Sequence, residues 1–341
     1  MTLQQRITQL HHQAFTVDAH FDLCYEVANM RERGDKKVIE KTFLNQFRAG
    51  SFDLIVSAIF VHNYFLPEMG LRKALDQISH LHAEIDESPG LFRICRTCKE
   101  ARQAKEDGEI ALFLSLEGAD PLQNDPGLLR IFYELGVRGL GLVWSRRNAV
   151  GDGAFFASQR EGQKGGLTPF GIDLIEQAER LGMFIDVSHL NDEGFLDVMN
   201  VAQKPLIASH SNCRALARTM RNLTDDQIKS LAAKGGVIGM NSVDAFVHDD
   251  AKKATMDDFV NHVDHIANLV GIDHVGIGFD ICCGFPNHLS MPDNVEATDL
   301  ISDHGHLEEF TEQLIRHGYS DEDIMKVLGD NFMRVYSETT G

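Results

Sequence analysis

The sequence has no long apolar run and no excess of basic residues. No stretch approaches the roughly 20 apolar residues that a membrane-spanning helix needs, and the chain starts with an amphipathic helix pattern rather than a signal peptide. Acidic residues outnumber basic ones 51 to 32, so the formal charge of -19 disfavours binding to nucleic-acid phosphates or anionic lipid. We therefore expect a cytoplasmic protein that binds neither nucleic acid nor membrane, and a homodimer stays open.

Cysteines and the common catalytic motifs are also scarce. Six cysteines in 341 residues are too few for a disulfide framework, and Cys95-x-x-Cys98 lacks the second pair of a zinc ribbon. Cys282 and Cys283 are adjacent, which disfavours a mutual bridge, so we expect reduced thiols. The sequence has no H-E-x-x-H helix, no G-x-x-x-x-G-K-[ST] loop and no G-x-S-x-G turn. It therefore lacks the common helical zinc-peptidase, nucleotide-binding and serine-hydrolase signatures.

Apolar runs of strand character alternate with helical patterns along the chain. The runs are FTVDAHF, LIVSAIFV, IALFLSLEG, VRGLGLVW, MFIDVSHL, PLIASHS, GVIGMN and HVGIGFD. Helical stretches such as DLIEQAERLG separate several of them, and Thr168-Pro169 forms an N-cap and first-turn pair before that helix. A doubly wound open sheet has the same local pattern, but eight strands favour an α/β fold of the (β/α)8 TIM-barrel type.

Two connections are long and rich in Gly, Pro and Asn: residues 145–168 after the fourth run and 281–303 after the eighth. Both follow the carboxyl ends of strands, where barrel enzymes build their sites, so we expect lids or pocket walls there. The sequence shows no internal repeat, low-complexity segment or linker. We therefore predict one domain over residues 1–341.

Ionisable side chains stand at the ends of several runs. In TVDAHFDL, Asp18, His20 and Asp22 occupy alternate positions, which share one face of a regular strand. The residues at the carboxyl ends of the runs are His20, Asp22, Glu117, His189, His210 and Asp280. Since these ends converge on one rim of a barrel, three imidazoles and three carboxylates predict a site for Zn²⁺ or another borderline divalent metal.

This set of side chains is larger than one closed tetrahedral zinc site requires. The surplus predicts two metal ions that share a carboxylate, with a water or hydroxide between them. We assign the bridge to Glu117, because Glu has two oxygens and sufficient reach. Asp280, the acid of the eighth run, is assigned the role of proton carrier.

The motifs DAHFDL, SLEGAD, GLTPFG, IDVSHL, SHSNCRAL, RNLTDDQI, HVGIGFD and LGDNFMRVY follow one another in this order. Together they resemble the renal (membrane) dipeptidases, a peptidase branch (family M19) of the metal-dependent amidohydrolase barrels. The resemblance runs from about residue 16 to 336. We do not carry membrane attachment over from the membrane-bound relatives, because we recognise neither a secretion signal nor a lipid-anchor pattern.

The resemblance assigns roles to these residues. It implies that His20 and Asp22 bind one zinc, that Glu117 bridges both, and that His189 and His210 bind the second. It implies that Asp280 handles the proton of the water and the free amine of the substrate. Arg221, in MRNLTDD, corresponds to the arginine that holds the substrate carboxylate, and a planar guanidinium suits that task. Without the resemblance, Arg221 would be interpreted as a surface residue.

Two positions depart from the family pattern. Trp144, in GLVWSRRN, stands where the mammalian enzyme has a histidine that contacts the scissile carbonyl, and Val243 replaces a pocket tyrosine. We expect Trp144 on the pocket rim, where it binds substrate and shapes which side chains fit.

The predicted function is a zinc-dependent dipeptidase with two Zn²⁺ per chain. It would hydrolyse dipeptides with free amino and carboxyl ends through a hydroxide that bridges the metals. The resemblance extends the expected substrates to L,D-dipeptides, which the family often accepts. The alternatives are an N-acyl-amino-acid deacylase, lactonase or related amidohydrolase on the same two-metal site, and a non-catalytic metal-dependent binding or assembly protein.

Overall fold

A computed structural model describes residues 1–155, 162–282 and 297–341. The strands are β1 (Thr16–Phe21), β2 (Phe52–Phe60), β3 (Phe92–Ile94), β4 (Ile110–Glu117), β5 (Val137–Gly141), β6 (Phe184–Asp186), β7 (Ile207–Ala208), β8 (Val237–Met240) and β9 (Val275–Ile277). Eight of them pair in parallel in the order β1-β2-β4-β5-β6-β7-β8-β9, and β3 pairs with the start of β4 outside that path. The eight-stranded, nearly closed barrel confirms the predicted fold class, whereas β3 was not predicted.

Helices follow most strands, as a βα barrel requires. They are α1 (Leu3–Gln13), α2 (Leu23–Glu32), α3 (Leu44–Ala49), α4 (Gly70–Glu87), α5 (Cys98–Glu106), α6 (Gly127–Glu134), α7 (Pro169–Leu181), α8 (Asp192–Val201), α9 (Asp225–Ala233), α10 (Asp244–Val247), α11 (Met256–Val270), α12 (Leu307–Arg316), α13 (Asp321–Met325) and α14 (Asn331–Thr340). In the part of the chain that the structure describes, no helix is long and apolar enough to cross a bilayer.

Helix α7 shows how the local sequence sets these elements. The Thr168 hydroxyl accepts a hydrogen bond from the Gly171 backbone N–H, and Pro169 follows at the first helical position. Gly182 ends the helix in the left-handed conformation, with φ of 80°. The cap prediction is therefore confirmed, and the helix leads directly into β6.

Two apolar layers stabilise the barrel. The larger one packs the outer faces of the strands against the surrounding helices. The smaller one lies inside and includes Val17, Val56 and Phe113, against which α14 sets its Phe332 and Tyr336. The Tyr336 ring lies 5.5 Å from that of Phe113 and 4.7 Å from that of Phe184. Helix α14 therefore closes the amino-terminal end of the barrel, opposite the predicted site.

Close backbone contact brings the last three strands together. A Cβ added to Gly239 or Gly278 would lie 1.9 or 1.7 Å from the carbonyl oxygen of Ser209. Only glycine fits at such distances. These two glycines allow the residues just before His210 to pack against β8 and the end of β9.

The two long connections contain no helix or strand within the described residues. Residues 156–161 of the first and 283–296 of the second lie outside the described residues. Their assignment as lids or pocket walls stays a prediction, and so does the division of the chain into a single domain.

Candidate metal centre and active site

The structure brings all six residues of the predicted rim together. His20 is in β1 and Asp22 directly follows it, Glu117 ends β4, His189 follows β6, His210 follows β7 and Asp280 follows β9. Five of these side chains are buried, and that of Asp280 is 16% exposed. The carboxyl ends of the barrel strands therefore converge as the sequence predicted.

The two oxygens of Glu117 divide the donor atoms into two groups. Its Oε1 lies 3.0 Å from His189 Nε2 and 3.8 Å from His210 Nε2, and these two nitrogens are 2.9 Å apart. Its Oε2 lies 3.8 Å from His20 Nε2, which is 3.8 Å from Asp22 Oδ1 and 3.7 Å from Asp280 Oδ1. Glu117 thus contacts both groups, and His20 also lies close to His210, with ring centroids 3.6 Å apart.

These distances fit a metal centre. Two ligand atoms that each lie about 2.0–2.2 Å from one Zn²⁺ cannot be more than roughly 4.4 Å apart, and the six separations given above satisfy that limit. Glu117 Oε2 is buried and accepts no N–H or O–H hydrogen bond within the described ranges. A cation would satisfy it. The donor set of imidazole nitrogens and carboxylate oxygens is one that zinc accepts.

Burial sets the protonation state of the group formed by His189, His210 and Glu117. It lowers the pKa of His189 and of His210, so both imidazoles are neutral and present a lone pair. Burial, with the negative charge of Asp280 as the next cause, raises the pKa of Glu117 to about 8. A cation beside Glu117 would instead favour its ionised form.

Serine hydroxyl groups orient the imidazoles of His189 and His210. Ser145 Oγ lies 2.8 Å from His189 Nδ1, and Ser209 Oγ lies 2.6 Å from His210 Nδ1. Ser209 Oγ in turn donates to the buried carboxylate of Asp186, which also accepts the Ser209 backbone N–H at 2.9 Å. With Nδ1 occupied, each ring directs Nε2 toward Glu117.

These supporting residues were missed in the sequence. A Ser directly before His210 and an Asp inside the apolar run FID were the available signals.

Two site residues have unusual backbone conformations. His189 and Asp280 have φ of 70° and 56°, in the left-handed region that non-glycine residues seldom occupy. Such strain persists only where surrounding contacts impose it, and it concentrates at functional sites.

Arg221 is buried, so its interpretation as a surface residue without the family resemblance is wrong. Its Nη1 donates to Ser211 Oγ at 2.8 Å and its Nη2 to the His210 carbonyl at 2.6 Å. Burial lowers its pKa to about 10, against the opposing effect of Asp280 and other nearby acids, so the guanidinium is cationic at neutral pH.

Asp280 is anchored through one oxygen. Its Oδ2 accepts the Asn241 side-chain N–H at 2.8 Å, and Asn241 Oδ1 accepts the Val243 backbone N–H at 2.9 Å. The other oxygen, Oδ1, is the one that faces His20. This position is open to either role, metal ligand or proton carrier.

Trp144 lies beside the site. It is 8% exposed and packs in a cluster with Tyr25 and Phe60, and its ring centroid lies 5.8 Å from that of His189. The Arg146 guanidinium lies 5.1 Å from the indole. Trp144 is therefore more buried than a residue on the open rim. Val243 is buried against Phe246 and Cys282.

An eight-stranded parallel barrel with histidines and carboxylates gathered at the carboxyl ends of its strands is the architecture of metal-dependent hydrolases. The model of the membrane dipeptidase family, peptidase family M19, matches residues 4–340. The chain belongs to this family of metallopeptidases, which confirms the resemblance seen in the sequence.

Two relatives each match more than three-quarters of this chain. A Klebsiella pneumoniae protein described by its position in the pqqA 5' region is 34% identical over 265 residues, 76% of this chain and 93% of that protein. The chain spans 60% of the length of the dipeptidase tcpJ of Claviceps purpurea, at 28% identity over 79% of this chain.

Two solved structures share the fold over nearly the whole chain. Dipeptidase AC, a metallopeptidase of family M19, superposes with a TM-score of 0.83 at 29% identity, covering 96% of this chain and 98% of that chain. A metallopeptidase from Rhodobacter sphaeroides, bound to a phosphinate mimic of L-Ala-D-Ala, gives 0.82 at 27% identity, covering 95% and 99%.

Proposed function

We propose that this protein is a zinc-dependent dipeptidase that hydrolyses dipeptides with free amino and carboxyl ends, L,D-dipeptides included. The observation that carries the proposal is the division of the donor atoms by Glu117, with a buried guanidinium and a partly exposed carboxylate close by. The Rhodobacter relative, bound to a mimic of L-Ala-D-Ala, supports the L,D range.

The residues proposed to hold two Zn²⁺ ions are His20 and Asp22 for one, His189 and His210 for the other, and Glu117 for both. Bound there, the metals would supply Lewis-acid polarisation of the peptide carbonyl and activation of a water nucleophile.

The remaining chemistry belongs to the chain. Two of the five N–H groups of Arg221 are hydrogen-bonded to Ser211 and His210, which fixes the guanidinium plane and leaves other donors for the substrate carboxylate. Asp280 Oδ2 accepts an N–H of Asn241, and Asp280 Oδ1 lies 3.7 Å from His20 Nε2; we assign to this carboxylate the transfer of a proton from the attacking water to the leaving amine. The aromatic cluster of Tyr25, Phe60 and Trp144 forms an apolar wall beside His189.

The test is a screen of zinc-loaded protein against L,L- and L,D-dipeptides, with metal per chain measured on the same sample. Each good substrate is paired with its N-acetylated and its C-amidated form. We expect two zinc ions per chain and loss of turnover on either modification. Turnover of N-acyl amino acids in place of dipeptides would identify the deacylase alternative, which the apolar wall at Trp144 favours. Two bound zinc ions with no turnover would identify the binding-protein alternative.

The partner proposed for this chain is the small dipeptide itself. The cytoplasmic location, the absence of nucleic-acid and membrane partners, and a homodimer stay predictions from the sequence.

A further inference from the structure

The barrel has a seam between its first and last strands. β1 and β9 are the two ends of the hydrogen-bonded strand order, and they contact each other without a β-ladder between them in the described residues. The backbone hydrogen bond across the seam joins the Asp280 N–H to the His20 carbonyl at 3.3 Å. Both residues belong to the candidate site, so the seam passes through it.

The carboxylate of Asp18 spans this seam. Its Oδ1 accepts the backbone N–H of His20 at 3.1 Å and that of Phe279 at 3.2 Å, and its Oδ2 lies 2.8 Å from His304 Nε2. Asp18 and His304 are completely buried. The regular alternation of TVDAHFDL predicted that Asp18 would share a face with His20. That expectation is wrong, because the pairing of β1 with β2 is irregular between Asp18 and Phe21.

The partners of Asp18 connect it to the site. His20 is one of the proposed metal ligands, and Phe279 directly precedes Asp280. Removing the carboxylate would leave two buried backbone N–H groups without an acceptor, which a protein interior avoids. One side chain therefore fixes the backbones that carry His20 Nε2 and Asp280 Oδ1, atoms 3.7 Å apart.

His304 fixes the orientation of the carboxylate. Its ring packs edge-on against Phe47 and Phe52, at centroid distances of 4.8 and 5.0 Å. The imidazole is thus held in place, and its bond to Oδ2 leaves Oδ1 free to face the two backbone groups.

We infer that Asp18 is a positioning residue that sets the spacing between the proposed metal ligand His20 and the proposed proton carrier Asp280. It acts by replacing the missing strand pairing between β1 and β9. This inference rests on the proposed two-metal site. It assigns Asp18 no contact with the substrate or the metal.

The chain offers a matched control. Asp53 is a mostly buried carboxylate that accepts the Thr16 backbone N–H at 2.8 Å and an Nζ–H of Lys105 at 2.8 Å. It anchors the opposite end of β1, away from the site. Asp18→Ala and Asp53→Ala therefore each remove a carboxylate that accepts a backbone N–H of β1, one at His20 and the other at Thr16.

The experiment titrates metal-depleted protein with Zn²⁺ in competition with a chelator. We expect two ions on the natural protein. Asp18→Ala should weaken the binding of one zinc ion by 10- to 100-fold, the range typical of groups that support metal ligands. The affinity for the other ion should stay within about threefold. Asp53→Ala should leave both within about threefold. Equal weakening of both ions by Asp18→Ala, no change in either ion, or the same loss in Asp53→Ala would overturn the inference.

A conservative variant tests the cause. In Asp18→Asn the amide oxygen can still accept both backbone N–H groups, and the amide N–H can donate to His304 Nε2 when the ring proton is on Nδ1. Both ions should bind within about threefold of the natural protein. A loss as large as in Asp18→Ala would assign the effect to charge and contradict positioning by hydrogen bonds.

A measurement on the natural protein remains decisive if Asp18→Ala does not fold. The amides of His20 and Phe279 should resist hydrogen exchange with and without Zn²⁺, because Asp18 holds them independently of the metal. Rapid exchange in the metal-free protein would refute the inference. Fewer than two zinc ions on the natural protein would instead contradict the proposed function.

Discussion

At the scale of single residues, the role of Asp280 is the first to test, because its Oδ1 lies 3.7 Å from Nε2 of the proposed metal ligand His20. We expect Asp280→Asn to retain zinc and to lower kcat by about 10² or more, since an amide cannot accept a proton and general base catalysis typically contributes about 10² to 10⁴. Zinc per chain and kcat are measured on the same preparation. Loss of one zinc in parallel with activity would make Asp280 a metal ligand.

Arg221 is predicted to recognise the carboxylate end of the substrate. Arg221→Lys should raise KM for dipeptides far more than for dipeptide amides, because a lysine ammonium cannot reproduce a bidentate clamp. The amides are the internal control for any general change in the site. Equal effects on both substrate series would show that Arg221 supports the loop after His210 through its bonds to Ser211 and the His210 carbonyl.

Trp144 should determine which substrate side chains fit. Trp144→Ala is expected to change the ranking of dipeptides by kcat/KM, by about 1–3 kcal/mol for the side chains that the ring contacts. Trp144→Phe, which keeps an aromatic wall, is the control and should preserve most of the ranking. A uniform large decrease in kcat for every dipeptide would instead indicate that the indole N–H stabilises the developing charge on the carbonyl oxygen.

At the scale of elements, the close packing of Gly278 against Ser209 couples the strand ends to the metal site. A Cβ at position 278 would lie 1.7 Å from the Ser209 carbonyl oxygen, and Ser209 directly precedes His210. Gly278→Ala should therefore lower the free energy of unfolding by about 3 kcal/mol or more and weaken zinc binding. Gly162→Ala, where an added Cβ meets no atom of the described residues within 4 Å, is the control and should change stability by no more than about 0.5 kcal/mol.

Urea unfolding and chelator competition test this prediction together. A Gly278→Ala protein as stable as the Gly162→Ala protein would show that Ser209 and the end of β9 can move apart without cost.

The strands of the barrel were predictable because most of them are apolar runs bounded by turn residues and helix caps. β3 was not, because its three residues FRI are too short to show a period and two of them are half-buried. The position of Asp18 was predicted wrongly for a different reason: an irregularity in strand pairing changes which face a side chain takes, and the sequence does not mark it.

The site could be located from the sequence, but its supporting contacts could not. Ser145 and His189 are 44 residues apart, and Asp186 and Ser209 are 23 apart. Contacts between such distant residues can be inferred only when the strand order is known, and a Ser or Asp by itself has many structural uses. The burial of Arg221 was likewise indicated by the family resemblance and not by its local pattern.

At the scale of the whole molecule, buried histidines outside the site make stability depend on pH. His262 is completely buried, with Nδ1 accepting the Cys213 backbone N–H at 3.0 Å and Nε2 donating to the Val247 carbonyl at 2.9 Å. Both nitrogens are therefore used by the neutral ring. Burial lowers the pKa of His262 to about 4, against an unfolded value of 6.5. Protonation would break the bond from Cys213, in the loop that carries Arg221.

The sign of the effect follows from these pKa values. Between pH 6.5 and pH 4 the unfolded chain binds more protons at His262 than the folded protein does, so the stability present above pH 6.5 is lost as the pH falls. We expect His262 to remove about 2 kcal/mol of the free energy of unfolding between pH 7 and pH 5.

His262→Gln, whose amide can make both hydrogen bonds, should lose correspondingly less over that interval. Urea unfolding of metal-depleted protein at the two pH values measures the difference without a contribution from zinc release. His82→Gln, a change at an exposed histidine, should follow the natural protein. If His262→Gln lost as much stability as the natural protein, the acid sensitivity would have to come from other buried groups, such as His11, whose pKa burial also lowers to about 4.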